Sequence, residues 1–135
     1  MRKVMNFIII LLVITLLLFT SCTNEYKKSN EDSFVPHFGA IDVYNASRSE
    51  LIDLDMCDYS KTFGEVKDEQ QAVQIAKTVV MDVYGEDESP YVVKLNENAN
   101  AWIVSGSNRL FQLGGVSTIA IDRETGDILM LIHTK

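Results

Sequence analysis

Hydrophobic and polar positions between Asp68 and Gly85 follow the period of an α-helix. One half of the helical wheel is apolar and the other half is polar. The apolar half consists of Ala72, Val73, Ile75, Ala76, Val79, Val80, Val83 and Tyr84. Asp68 is a suitable N-cap and Gln71 completes a capping box, while Gly85 can take the left-handed conformation that ends a helix. The pattern therefore predicts one amphipathic helix that covers another layer.

After this helix the pattern changes to short, β-type segments. The predicted strands are 91–96, 101–105, 116–122 and 128–133. The loops between them are short, whereas parallel strands need crossovers of a dozen or more residues, so the strands should be antiparallel. Gly126 stands where a hairpin with a bulge requires a glycine. The predicted fold class is α+β, with one amphipathic helix packed on a four-stranded antiparallel meander sheet.

The N-terminal residues have the pattern of a targeting segment. Two basic residues precede an apolar block of 13 residues, Phe7 to Phe19, which is short for a membrane-spanning helix of roughly 20 residues. The block ends in the letters FTSC, which resemble the lipobox of bacterial lipoproteins, where the cysteine receives a diacylglyceryl group. We therefore expect residues 1–21 to be a lipoprotein signal peptide and Cys22 to be the lipid attachment site on the membrane. The alternative is an uncleaved membrane anchor in which Cys22 is incidental.

Two segments separate this signal from the helix-and-sheet domain at residues 66–135. Residues 22–37 would hold the lipid anchor and a polar, flexible linker, which we expect to be a disordered tether. Residues 38–65 form an N-terminal extension that the pattern assigns poorly. Within it, Ser47 and Glu50 have the spacing of a capping box.

Net charge restricts the class of partner. The chain has 12 basic and 19 acidic residues, a net charge of −7, and the charge without residues 1–21 is −9. Such a chain is repelled by phosphate backbones, so we expect no nucleic-acid partner, and a basic protein fits better. Two cysteines exclude a disulfide-stapled scaffold. Cys57, left unpaired by lipidation of Cys22, is expected to be buried and inert.

Few residues carry recognisable chemistry. Asp122, Glu124 and Asp127 surround Gly126, but this five-residue loop lacks the spacing of an EF-hand, so we interpret them as turn residues. The sequence contains no catalytic triad, metal-ligand motif or phosphate-binding glycine loop. We therefore expect no enzymatic activity, no cofactor and no metal.

Two surface segments are candidates for contact with a protein partner. The acidic run of Glu86, Asp87 and Glu88 follows the helix and is either a solvated loop or a patch for a basic partner. Leu110 and Phe111 lie in a loop between glycines and either contact a partner or fold over the sheet edge.

The order of these motifs resembles a known family. It consists of the capped helix, Tyr84-Gly85, Pro90-Tyr91-Val92-Val93, residues 101–106, Gly114-Gly115-Val116 and the hairpin around Gly126. The set is similar, over residues 66–135, to the short bacterial immunity-protein family with the nuclear-transport-factor-two (cystatin-like) fold. The resemblance implies a non-enzymatic protein that binds and neutralises a cognate toxin in interbacterial competition. It also implies a protein that is often exported or lipid-anchored. Together with the signal segment, this predicts a lipid-anchored place in the cell envelope, on the periplasmic or outer-membrane face. A curved sheet face and the Glu86–Glu88 region would make the contact.

Other functions fit the same elements. One is a periplasmic inhibitory or propeptide-like module that binds a peptidase or a sensor protein. Another is a cone that holds a small apolar molecule between helix and sheet, although about 70 residues leave little room for such a pocket beside a packed core.

Overall fold

The structure is a computed structural model that describes residues 26–28, 37–38, 41–107 and 115–133. In chain order the elements are β1 (Tyr26–Lys28), β2 (His37–Phe38), β3 (Ile41–Asp42), α1 (Arg48–Asp53), α2 (Glu69–Tyr84), β4 (Tyr91–Asn96), β5 (Ala101–Gly106), β6 (Ser117–Asp122) and β7 (Ile128–His133).

Helix α2 has the bounds and caps that the sequence predicts. The Asp68 side chain accepts a hydrogen bond from the Gln71 amide at 2.8 Å. Gly85 has a φ of 73°, and its amide donates to the Met81 carbonyl. One detail of the predicted cap is wrong, because the Gln71 side chain accepts from the amide of Lys67 and not from that of Asp68.

Strands β4 to β7 form the predicted antiparallel meander, with each strand paired to the next. The register of β6 and β7 shifts between Ala120 and Ile121, next to the bulged hairpin. Outside β4 lies an additional strand, β1, which pairs with Tyr91–Val93 in parallel. The sequence predicts a disordered tether there, but the unpaired backbone groups at the edge of β4 offer any nearby segment a template.

The first core lies between α2 and the sheet. Val73, Ala76 and Val80 of the helix are buried in it, together with Val104 and Ile119 of the central strands. This confirms that the apolar half of the predicted helix covers the sheet, except at Tyr84, whose side chain is exposed at the end of the helix.

A second core lies on the opposite face of the sheet, where the N-terminal extension packs. Val43 and Leu51 are fully buried there among side chains that include Ile103 and Met130. Helix α1 begins at the predicted capping box, since Ser47 and Glu50 bond each other's backbone amides. The extension, which the sequence pattern assigns poorly, is therefore a structural layer of the domain.

Asn96 holds this layer in place. Its side chain is buried, and Nδ2 donates to the carbonyls of Val43 at 2.8 Å and Ala46 at 2.9 Å. Its Oδ1 accepts from the amide of Ala99 at 3.0 Å. One side chain thus satisfies three buried backbone groups from two segments.

Residues 54–66, here called the strap, pass from one face of the sheet to the other around the edge of β7. The Met56 amide donates to the Leu131 carbonyl at 3.3 Å, and the Leu131 amide donates to the Asp55 carboxylate at 2.8 Å. At its end the Val66 amide donates to a carbonyl of the β6–β7 turn at 2.8 Å. The strap therefore protects the outer edge of the sheet.

Candidate partner-binding surface

Both faces of the meander are covered by protein. Every residue of β5 and of β6 is buried, beneath α2 on one face and the N-terminal extension on the other. The prediction that a curved sheet face makes contact with a partner is therefore wrong, because the extension occupies the face that α2 leaves open. Contact with a partner has to use the outer surface of the helices, the strap and the loops.

Glu88, one of the predicted contact residues, is largely buried. Its carboxylate accepts from the amide of Ser117 at 2.7 Å and from its hydroxyl at 2.9 Å. It also lies 3.6 Å from Nε2 of His133. A Cβ added to Gly106 would lie 2.8 Å from the Glu88 Cβ, so the side chain packs directly on this strand. The main interactions of Glu88 are thus inside the protein.

The other two residues of the acidic run, Asp87 and Glu86, differ in the contacts that their side chains make within the protein. Asp87 accepts from the amide and hydroxyl of Ser89 and lies 3.2 Å from the Lys77 ammonium group. Burial opposes ionisation of Asp87, but these bonds outweigh it and lower the pKa of its carboxyl. Glu86 is exposed. Contact of this run with a partner stays a prediction, and Glu86 and Asp87 are the two residues of the run that are exposed.

Three other predicted site residues lie outside the described residues. They are Cys22, Leu110 and Phe111.

Cys57 is a free, half-buried thiol and not a fully buried one as predicted. It packs against the first core, as do the strap residues Tyr59 and Phe63. His133 contacts the ring of Tyr84, with 4.8 Å between ring centroids, and its Nε2 lies 3.6 Å from the Glu88 carboxylate.

The acidic residues of the last turn have the role expected of turn residues. The Asp122 carboxylate accepts from the amides of Glu124 and Thr125, each at 2.8 Å, and forms an ion pair with Arg48. Across the described segments, no group of three or more Asp, Glu, His or Cys side chains is arranged to hold a metal ion.

Asp122 gives the fold a dependence on pH. Burial opposes its ionisation, but the Arg48 guanidinium and the two amides outweigh burial and lower the pKa of the carboxyl below its ordinary value. The ionised form therefore stabilises the folded state above the unfolded-state pKa, and this contribution disappears as the pH falls through the lower, folded-state pKa.

We expect Asp122→Asn to be less stable than the unsubstituted chain at neutral pH. The difference in free energy of unfolding by urea should shrink as the pH is lowered below the ordinary aspartate pKa. An equal difference at both pH values would contradict this role.

The outer surface is strongly acidic. Residues 41–107 and 115–133 hold 16 acidic and 6 basic side chains. Half of these basic side chains are already paired with carboxylates, in Arg48–Asp122, Lys61–Asp82 and Lys77–Asp87. The excess of unpaired carboxylates favours a basic protein as the partner.

Exposed apolar side chains lie at two places on this surface. Met56 in the strap is 79% exposed and Ile52 in α1 is 50% exposed. Met81 and Tyr84 are neighbours on the surface of α2, at 45% and 38% exposure. The backbone of Met56 is bonded to β7, so its exposed side chain stands on an ordered segment. These residues are available as apolar contacts beside the acidic ones.

None of the helices in the described segments is both long enough and apolar enough to cross a membrane.

Comparison with known protein families gives a match over the second half of the chain. Residues 71–135 match a family described as NTF2 fold immunity protein, a region that holds most of α2 and all of the antiparallel meander. Neither the curated proteins nor the solved structures include a match to this chain. Immunity families of this kind act in general by neutralising a toxin and are typically non-enzymatic. Over residues 71–135, the chain is therefore similar to the NTF2 fold immunity protein family.

Proposed function

We propose that this protein is a lipid-anchored antidote, which binds a cognate protein toxin in interbacterial competition and neutralises it without chemistry. The match of residues 71–135 to an immunity family carries this proposal. Neutralisation by occlusion needs a stable surface with apolar anchors and a charged rim, and no reacting groups. The sheet, which is covered on both faces, and the acidic outer surface support such a role.

A basic toxin is the partner that the charges favour. Residues 41–107 and 115–133 hold 16 acidic and 6 basic residues. Opposite charge on the toxin would accelerate association and exclude acidic competitors. Binding should then weaken as the salt concentration rises.

Anchoring through Cys22 agrees with the position of β1. Tyr26 is four residues after Cys22 in the sequence, and a fully extended chain of that length reaches at most about 14 Å. With β1 beside β4, the β4 edge would lie close to the membrane. The strap on β7 would lie four strand spacings from β1, about 19 Å. The strap side would then face an arriving toxin.

Co-expression tests the antidote function. The toxin candidate is the product of the neighbouring gene, directed to the compartment where this protein resides. We expect growth arrest by that product alone and rescue when this chain is present, with the two proteins purifying together. If no neighbouring product arrests growth or binds the chain, the proposal fails. Capture of a resident peptidase instead would support an inhibitory module.

Lipid attachment can be tested separately by replacing each of the two cysteines of the chain in turn. We expect radiolabelled palmitate to label the unsubstituted chain, and Cys22→Ala to abolish the label because the thiol is the acceptor. Cys57→Ala is the matched control, since it also removes one thiol, and it should keep the label. Label that persists in Cys22→Ala would contradict anchoring at this residue.

A further inference from the structure

A groove of about 570 Å³ lies between the strap and the first half of α2. Phe63 from the strap and Ile75 from the helix, both half-buried, supply its apolar lining. Glu65 and Asp68 supply carboxylates, and Gln70 adds an amide. The groove therefore combines an apolar surface with acidic and hydrogen-bonding groups.

Hydrogen bonds and a ring contact with the rest of the domain fix the residues that line the groove. The Phe63 amide donates to the Gly126 carbonyl at 3.3 Å, and the ring lies parallel to that of Tyr59 at 6.4 Å between centroids. Asp68 is fixed as the N-cap of α2 by its bond to the Gln71 amide. A partner that binds here would not need to order these residues first, which lowers the entropic cost of binding.

The charge of the groove selects a cation. The N-terminus of α2 contributes roughly half a positive charge, which by itself would attract an anion. Glu65, Asp68 and Glu69 carry three full negative charges in the same region, and Lys67 returns only one positive charge. Within the described part of the chain the Glu65 carboxylate makes no hydrogen bond or ion pair, so it is available to a ligand.

We propose that this groove receives an arginine side chain of the toxin, an inference that rests on the antidote function proposed above. The aliphatic part of the arginine would lie against Phe63 and Ile75. Its planar guanidinium would donate to the carboxylates of Glu65 and Asp68. Arginine suits this groove better than lysine because its flat, weakly hydrated head can stack on an aromatic ring and bond two acceptors at once.

A small probe tests the groove without any toxin. The full-length chain in detergent micelles is titrated with N-acetyl-arginine methylamide, and the amide resonances are followed by NMR. We expect shifts concentrated at residues 63–75, and almost none with the uncharged citrulline analogue. Shifts spread evenly over the acidic surface, or none at all, would overturn the proposal.

A charge-neutral double variant tests the same groove against probe and toxin. Glu65→Gln with Asp68→Asn removes two charges, while asparagine still caps a helix as well as aspartate does. The control, Asp53→Asn with Glu97→Gln, removes two exposed charges outside the groove lining. We expect the groove variant to weaken binding of the probe and of the toxin by about tenfold or more, and the control by less than about twofold.

The outcomes separate the two proposals. If the toxin binds and both double variants weaken this binding equally, the antidote function stands and the groove proposal is overturned. If no neighbouring product binds the chain, the antidote function fails, and the arginine titration alone decides whether the groove is a site for this side chain.

Discussion

Replacing Leu51 by alanine should lower the free energy of unfolding by about 2–5 kcal/mol, the usual effect of truncating a buried leucine. Leu51 is fully buried in the second core, although it lies outside the matched region of residues 71–135. Truncation of its side chain leaves a cavity against β7. Helix α1 would have to shift and lose the hydrogen bonds of its capping box to fill this cavity. Urea denaturation of the variant and the unsubstituted chain, followed by circular dichroism, measures the difference.

Ile52→Ala is the matched control, because it truncates the next residue of the same short helix. Ile52 is 50% exposed, so the loss should stay below about 1 kcal/mol. Equal losses for the two variants would mean that α1 does not pack on the sheet in solution. The expected contrast would show that the folded domain includes residues that precede the matched region.

The sequence predicts α2 and the meander well because each has a strong local signal. Asp68 and Gly85 mark the two ends of the helix, and the apolar period between them agrees with the burial of Val73 and Val80. The alternation of Tyr91 and Val93 with more polar residues marks β4 in the same way. In these elements one local pattern determines both the conformation and the buried face.

The N-terminal extension could not be predicted, because its fold depends on contacts distant in sequence. Val43 and Leu51 are isolated apolar residues among polar ones, and only the sheet buries them. One signal was nevertheless present. Residues 101–104 and 128–132 are continuous apolar runs, which are typical of strands covered on both faces. Such runs imply a second covering layer, and the extension is that layer.

The groove was equally invisible in the sequence. Phe63 and Ile75 are 12 positions apart and belong to segments of different type, so no pattern links them. Glu88, by contrast, was singled out for its charge, but its burial beside Ser117 depends on how the loop folds back on β5 and β6. Charge in a sequence identifies an acidic surface, and only the fold separates structural carboxylates from accessible ones.

Gly126→Ala should be the most destabilising exchange in the β6–β7 turn, at about 2–5 kcal/mol. Gly126 has a φ of 70°, a left-handed conformation that costs alanine about 1–2 kcal/mol. The added Cβ would also lie 2.7 Å from the Gly64 nitrogen and 3.0 Å from the Phe63 carbonyl carbon. These are backbone atoms of the strap, so the strap has to move, at a further cost of about 1–3 kcal/mol. Thermal or urea unfolding measures the sum.

Gly85→Ala separates the two contributions. Its φ of 73° is nearly the same, but nothing lies within 4 Å of the added Cβ, so only the conformational cost of about 1–2 kcal/mol applies. The excess loss in Gly126→Ala then measures how tightly the strap packs on the turn. Because Phe63 supplies part of the groove, Gly126→Ala should also weaken binding of the arginine probe. Gly85→Ala should leave this binding unchanged. Equal losses of stability in both variants would mean that the strap is loosely attached, and a groove that depends on it would not be preformed.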